Sequence, residues 1–134
     1  MKIGIMGGTF NPIHNAHLLI AEMAREEYGL DRVIFITDGN PPHKSANVTA
    51  KQRFEMTHIA IADNSAFEED DFEINRSEKS YTVNTLGYLK EKYPNDDLFF
   101  IIGEDSLNDF DKWYKPDKIL EMCSLLVFPR KSLK

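Results

Sequence analysis

Short runs that are apolar at every position alternate along the chain with longer stretches whose apolar residues recur at helical spacing. Lys2–Met6 (KIGIM), Arg32–Thr37 (RVIFIT), Leu98–Ile102 (LFFII) and Ser124–Phe128 (SLLVF) are too short for helices and read as strands. Apolar residues at every position suit strands covered on both faces, as in parallel sheets. Between the first two runs, AHLLIAEMAREEYGL carries Leu18, Ala21, Met23, Ala24 and Tyr28 near one face and stops at Gly29, which predicts a helix. KQRFEMTHIAIAD and TVNTLGYLKEKYP predict two more helices, the second closed by Pro94, and FEINR (Phe72–Arg76) reads as a weaker strand. The order βαβαβαβ, then a short helical stretch and a last strand, predicts an α/β domain: a Rossmann-like open parallel sheet of about five strands flanked by helices on both faces. Such sheets take ligands beyond the carboxyl ends of their strands, where the strand order reverses.

Composition narrows the partners. No repeat, linker or low-complexity tract divides the 134 residues, so residues 1–134 are expected to be one domain. A net charge of −6 argues against a general nucleic-acid binder, because counterion-release binding needs a basic face. Any anionic ligand must therefore be met by local donors. The one cysteine, Cys123, cannot form an internal disulfide, and no run approaches the ~20 apolar residues of a membrane span. A cytoplasmic protein with neither nucleic acid nor membrane as partner is expected, with self-association into a homo-oligomer left open.

Gly7 and Gly8 follow the first strand, and Thr9 to His14 fill the connection to the first helix. By the switch-point rule they belong at the ligand edge, where glycines admit a ligand to the backbone and a helix start offers free N–H groups. The stretch is neither the dinucleotide G-x-G-x-x-G nor a Walker loop, and a Gly-Gly after a strand is as readily a tight turn. His14 and His17, three residues apart, can face one side of a first helical turn and donate to phosphate oxygens. A zinc pair is the rival, although no third and fourth ligand stand nearby.

GGTFNPIHNAH, residues 7–17, resembles the G-T-F-[DN]-P-x-H-x-G-H signature of the nucleotidyltransferase superfamily of adenylyl and cytidylyl transferases. PPHK (Pro41–Lys44), SYT (Ser80–Thr82), IIGEDS (Ile101–Ser106), WY (Trp113, Tyr114) and PR (Pro129, Arg130) follow in the order found in bacterial nicotinate-nucleotide adenylyltransferases. The resemblance implies transfer of the AMP moiety of ATP to nicotinate mononucleotide, giving nicotinate adenine dinucleotide and pyrophosphate, with Mg²⁺ arriving on ATP. It implies His14 and His17 as catalytic residues that also touch ATP, together with Gly7, Gly8, the backbone N–H groups of Thr9 and Phe10, and Gly103 and Asp105 near the adenosine ribose. For the mononucleotide it implies His43, Lys44, Ser80, Tyr81, Thr82, Trp113 stacked on the pyridine ring, and the backbone of Tyr114.

Plainer readings stand beside some of these. Asp105 can cap a helix, Trp113 can be a packing residue, and His43 and Lys44 can belong to a solvated loop. His58 reads as helix surface and Cys123 as packing.

Two departures from the pattern matter. Ala16 stands where the family usually has Gly, and the C-terminal I-S-[SA]-T-x-[IV]-R motif, which holds ATP phosphates in the family, is missing after PRKSLK. A piece of a longer enzyme, lacking the C-terminal part of the family fold, is the expectation, because a chain ending there leaves the edge of the last strand uncovered. The glycerol-phosphate cytidylyltransferases carry an R-T-x-G-I-S-T-T motif not found here, and the pantetheine-phosphate enzymes usually have Thr for the first histidine. A non-catalytic nucleotide-binding module is the reading from another class, and an acidic interaction domain is the plainest.

Overall fold

A computed structural model describes residues 1–8, 10, 15–39, 49–75 and 81–128. Strands β1 (Lys2–Gly8), β2 (Arg32–Thr37), β3 (Phe67–Asp70), β4 (Asp97–Gly103) and β5 (Ser124–Phe128) form one all-parallel sheet in the order β3-β2-β1-β4-β5. Helices α1 (Asn15–Tyr28), α2 (Ala50–Ile61), α3 (Thr82–Lys92), α4 (Glu104–Asn108) and α5 (Pro116–Met122) connect them, with a 3-10 turn at Phe110–Lys112. This is the Rossmann-like arrangement the apolar pattern predicts.

Two cores explain why the strands are apolar at every position. Val33 and Phe35 of β2 pack with Ala21 and Ala24 of α1 and Ile61 of α2. Ile34 and Ile36, on the other face, pack with Leu86 and Leu89 of α3 and Ile119 of α5. Successive side chains of a strand point to opposite faces, so α1 and α2 cover one face and α3 and α5 the other. Local chemistry sets the helix ends: Gly29 takes the left-handed conformation (φ 65°) that closes α1. At α2, the Gln52 N–H donates to Thr49 Oγ1 at 3.1 Å and the Thr49 N–H to Gln52 Oε1 at 3.0 Å, a reciprocal cap.

The third strand is not where the pattern puts it. Phe72–Asn75 form a turn, and the strand is Phe67–Asp70, paired with Val33–Ile36. Tertiary contacts override propensity here. Phe67 packs its ring on Phe35 at 5.1 Å, Arg32 pairs with Glu68 at 3.0 Å, and Glu69 bonds His58 on the exposed face of α2. Asp70 then ends the strand by accepting the Phe72 N–H at 2.9 Å. Its other oxygen accepts Tyr88 Oη at 3.0 Å and Lys92 Nζ at 3.2 Å, tying the sheet edge to α3.

His58 is helix surface, as expected. Cys123 is half-buried and packs against the second core; burial pushes its thiol up to about 11, so it stays protonated at neutral pH. No helix among the described residues is long and apolar enough to cross a membrane.

Gly87 lies in the middle of α3, and a Cβ added there would meet nothing within 4 Å. Because glycine in a helix interior is disfavoured by ~1 kcal/mol relative to alanine, Gly87→Ala is expected to stabilise the fold by about that amount. Thermal unfolding followed by circular dichroism should show a rise of roughly 2 to 5 °C. An unchanged or lower midpoint would mean that the site is not open.

Candidate functional site

β1 lies between β2 and β4, and its two pairings differ in length. With β2 the register runs from Ile3↔Arg32 to Gly8↔Thr37, whereas with β4 it stops at Ile5↔Phe100 although β4 continues to Gly103. The two strands part at the point where the sheet order reverses. A cavity of about 570 Å³ opens there, with Met6, Gly7 and Gly8 on one side and Ile101, Ile102 and Gly103 on the other. His17 and Ile20 of α1, Thr82, Thr85 and Leu86 of α3, and Trp113 complete much of the wall.

The turn after β1 is shaped by Phe10. Its backbone is left-handed (φ 49°) and its ring is buried, 5.2 Å from His17 edge-on and 6.0 Å from Phe35. The left-handed conformation costs a non-glycine residue ~1 to 2 kcal/mol, which burial of a phenylalanine ring, roughly 1.5 to 3 kcal/mol, offsets. Phe10 therefore lies beneath the cavity instead of lining it. A Cβ on Gly8 would come within 3.1 Å of that ring, so glycine there makes room for it. At Gly7 a Cβ would meet nothing closer than 3.9 Å, so neither packing nor a positive φ calls for glycine. His17, half-buried on the first turn of α1, borders the cavity while its ring rests on Phe10. Ala16 is half-buried beside it.

Across the gap, Gly103 is the N-cap of α4 and Asp105 the second residue of that helix. The capping reading of Asp105 is therefore corrected: the cap position is one that carries no side chain. Gly103, Glu104, Asp105 and Ser106 all border the cavity, and a Cβ on Gly103 would approach only the Phe128 carbonyl, at 4.0 Å. Thr82 opens α3 directly after its N-cap, Tyr81.

Trp113 is half-buried and meets both descriptions given to it. One part packs on Phe110 at 5.0 Å and edge-on to Phe100 at 6.0 Å, while another borders the cavity. Tyr114 lies outside the wall, 49% exposed, with its ring 4.6 Å from that of Tyr81 and Lys115 Nζ 5.2 Å above it. Lys115, like Phe10, has a left-handed backbone (φ 53°).

Asp38, Glu73, Thr85 and Ser106 border the cavity without having stood out in the sequence as site residues. Thr85 was accessible to reasoning, since it lies one helical turn from Thr82. Glu73 was not, because it sits in an irregular turn with no period. It is buried and accepts Thr85 Oγ1 at 2.5 Å. Among the described residues the ionisable side chains on the wall are Asp38, Glu73, Glu104, Asp105 and His17, four carboxylates and one imidazole. Thr9, His14, His43, Lys44, Ser80 and Arg130 lie outside the described residues. Among the described residues no three His, Cys, Asp or Glu side chains are grouped to hold a metal ion.

Known proteins resemble this chain in sequence and fold. A profile of the cytidylyltransferase-like family matches residues 5–133. Over 132 residues the chain is 50% identical to a probable nicotinate-nucleotide adenylyltransferase of Citrifermentans bemidjiense and 51% identical to one of Pelobacter propionicus, covering 97% of this chain and 61% of each relative. It thus spans about three-fifths of the length of these curated relatives. A solved structure assigned as a nicotinate-nucleotide adenylyltransferase from Vibrio parahaemolyticus superposes with a TM-score of 0.80 at 26% identity, covering 97% of this chain and 74% of that one. The Plasmodium falciparum nicotinic acid mononucleotide adenylyltransferase, solved with NaAD, shares the fold with a TM-score of 0.83 at 24% identity over 99% of this chain and 66% of that one. With nearly its whole length matched by one family profile, and with the sheet order and switch-point cavity described above, the chain belongs to the cytidylyltransferase-like family.

Proposed function

We propose that this chain carries the active site of a nicotinate-nucleotide adenylyltransferase, which transfers the AMP moiety of ATP to nicotinate mononucleotide in the cytoplasm and releases pyrophosphate. The observation that carries the reading is the single cavity in which Gly7, Gly8, His17, Gly103 and Asp105 meet Thr82 and Trp113. The names of the relatives agree with it.

In this reaction an oxygen of the mononucleotide phosphate attacks the α-phosphorus of ATP. The bond from that phosphorus to the bridging oxygen of the β-phosphate breaks, and its electron pair leaves with pyrophosphate. The attacking oxygen is already anionic, so no base has to remove a proton from it. Catalysis then rests on holding two anions in line and offsetting charge as it moves.

Gly7 and Gly8 let the phosphates approach the backbone, and the N–H groups of Thr9 and Phe10 donate to them. His17, with His14, donates to the developing negative charge. No described residues are grouped to hold a metal, so Mg²⁺ carried by ATP would supply the charge that offsets the triphosphate. Gly103 leaves room for the adenosine ribose, whose hydroxyls donate to Asp105. On the acceptor side, Thr82 and the backbone N–H of Tyr114 hold the pyridine carboxylate near the positive dipole end of α3, and Trp113 stacks on the ring. His43 and Lys44 meet the mononucleotide phosphate, and Ser80 and Tyr81 also take part in binding the mononucleotide.

A second reading is nucleotide binding without turnover, favoured by the four carboxylates on the described wall. Pyrophosphate release from ATP and nicotinate mononucleotide separates the two readings. The transferase reading expects release that depends on both substrates, and the binding reading expects calorimetric affinity without release.

Three substitutions sharpen the test. His17→Ala is expected to slow release by ~100-fold or more, the usual loss for a donor aimed at a transition state, with the circular dichroism unchanged. Most of the activity surviving would remove His17 from the mechanism. Trp113→Ala should weaken calorimetric binding of nicotinate mononucleotide by roughly 1 to 3 kcal/mol and leave ATP affinity as it was. Equal losses for both substrates would instead point to its packing on Phe100 and Phe110. Gly103→Val fits the extended backbone at that position (φ −86°, ψ 166°) and projects into space bordering the cavity. ATP binding should fall while the melting temperature stays within a degree or two, and unchanged ATP affinity would place the adenosine elsewhere.

A further inference from the structure

We infer that Arg53 and Glu73 act together as positioning residues for the α3 wall of the cavity, Thr82, Thr85 and Leu86; calling this wall the acceptor side rests on the function proposed above. Arg53 projects from α2 and is 2% exposed. Its Nη1 donates to the Asp38 carbonyl at 2.6 Å and its Nη2 to the Gly39 carbonyl at 3.4 Å, so it holds the chain leaving β2.

Gly39 passes that restraint on. A Cβ there would sit 2.2 Å from the Glu73 carbonyl oxygen and 2.9 Å from its carbonyl carbon, which means that the two backbones are in direct contact. The Glu73 carboxylate accepts Thr85 Oγ1 at 2.5 Å. The contacts run from α2, on one face of the sheet, across the carboxyl ends of the strands to α3 on the other. At each end stands a buried ionisable side chain. If stability were their whole purpose, well-packed apolar residues would serve as well or better, because desolvating a charge is expensive. What these groups supply that an apolar side chain cannot is directional hold on a carbonyl and a hydroxyl at the rim of the site. Catalysis that relies on orientation is sensitive to displacements on the order of 1 Å, so a fixed α3 wall is what the proposed reaction needs.

The test measures transmission along this line in the 134-residue chain. In Arg53→Met, hydrogen exchange at the Asn84 and Thr85 amides, which donate to the Tyr81 carbonyl, should speed up by ~10-fold or more although Arg53 belongs to α2, on the opposite face of the sheet, while the β4 amides keep their protection. Calorimetry should show nicotinate mononucleotide binding about 10-fold more weakly, with ATP affinity retained. Glu73→Leu should reproduce both effects, and Glu73→Gln, which keeps an oxygen for Thr85, should reverse most of them. The double variant Arg53→Met/Glu73→Leu should be little worse than either single one, because coupled residues do not add.

Additive effects, unchanged exchange at α3, or equal loosening of β4 would overturn the inference. Should Arg53→Met fail to fold, Gly39→Ala and Thr85→Val interrupt the same line and are read in the same way. Absence of mononucleotide binding in the unaltered chain would refute the proposed function, while the exchange pattern would still decide whether the coupling exists.

Discussion

The geometry of the site follows from unequal pairing of one strand. β1 is bonded to β2 as far as Gly8 but to β4 only as far as Ile5, so its last three residues have a partner on one side alone. Backbone groups must find partners somewhere, and a parallel sheet that splits at its centre exposes them to whatever occupies the split. The reversal of strand order produces the split, because the connections from β1 and β4 leave toward opposite faces of the sheet, to α1 on one and toward α3 and α5 on the other. A fold with both neighbours of β1 bonded along their full length would close the cavity with its own backbone.

Rigid packing surrounds this opening. The Phe10 ring is driven into the core against Phe35 and His17, and the strain of its left-handed backbone is the local expense of that burial. The same packing seats His17, whose imidazole lies edge-on to that buried ring. At the far side Trp113 has the double character of a core residue and a wall, held by Phe100 and Phe110. Both aromatic anchors thus convert burial energy into placement of a surface that a planar or charged ligand can use.

Four of the five strands were legible because they are buried on both faces and carry an uninterrupted apolar run. β3 was not, because FEED has one apolar residue and two glutamates that an edge strand tolerates through Arg32 and His58. The neighbouring FEIN looks more like a strand, but the Asp70 carboxylate bends the chain there. The same contrast holds at the site. Residues in the glycine, histidine and tryptophan motifs could be picked out because those motifs resemble, in kind and order, the ones of the nucleotidyltransferases, and the structure gathers Gly7, Gly8, His17, Gly103, Asp105, Thr82 and Trp113 around one cavity. Phe10 and Tyr114 were picked out with them for their backbone N–H groups, and Tyr81 as a neighbour of Thr82; the rings of all three pack beside or beneath the cavity. Asp38 and Glu73 were invisible because their place depends on the packing of one turn against another, which no local pattern encodes.

Charge decides how such a cavity can be used. Two unit charges of like sign about 6 Å apart repel by ~3 kcal/mol at an effective dielectric constant of 20, so the carboxylates on the described wall cannot sit beside uncompensated phosphates. Glu73 turns its carboxylate to the Thr85 hydroxyl, and Asp105, on α4 beyond the end of β4, stands where sugar hydroxyls rather than phosphates would meet it in the proposed orientation. The phosphates are left to the β1 side, where the described wall offers backbone at Gly7 and Gly8 and the imidazole of His17. The two ends of a nucleotide are chemically different, and the proposed orientation sets its hydroxyls toward Asp105 and its phosphates toward Gly7, Gly8 and His17, with Asp38, whose N–H donates to the Gly8 carbonyl at 2.9 Å, as the carboxylate from which those phosphates must be held away.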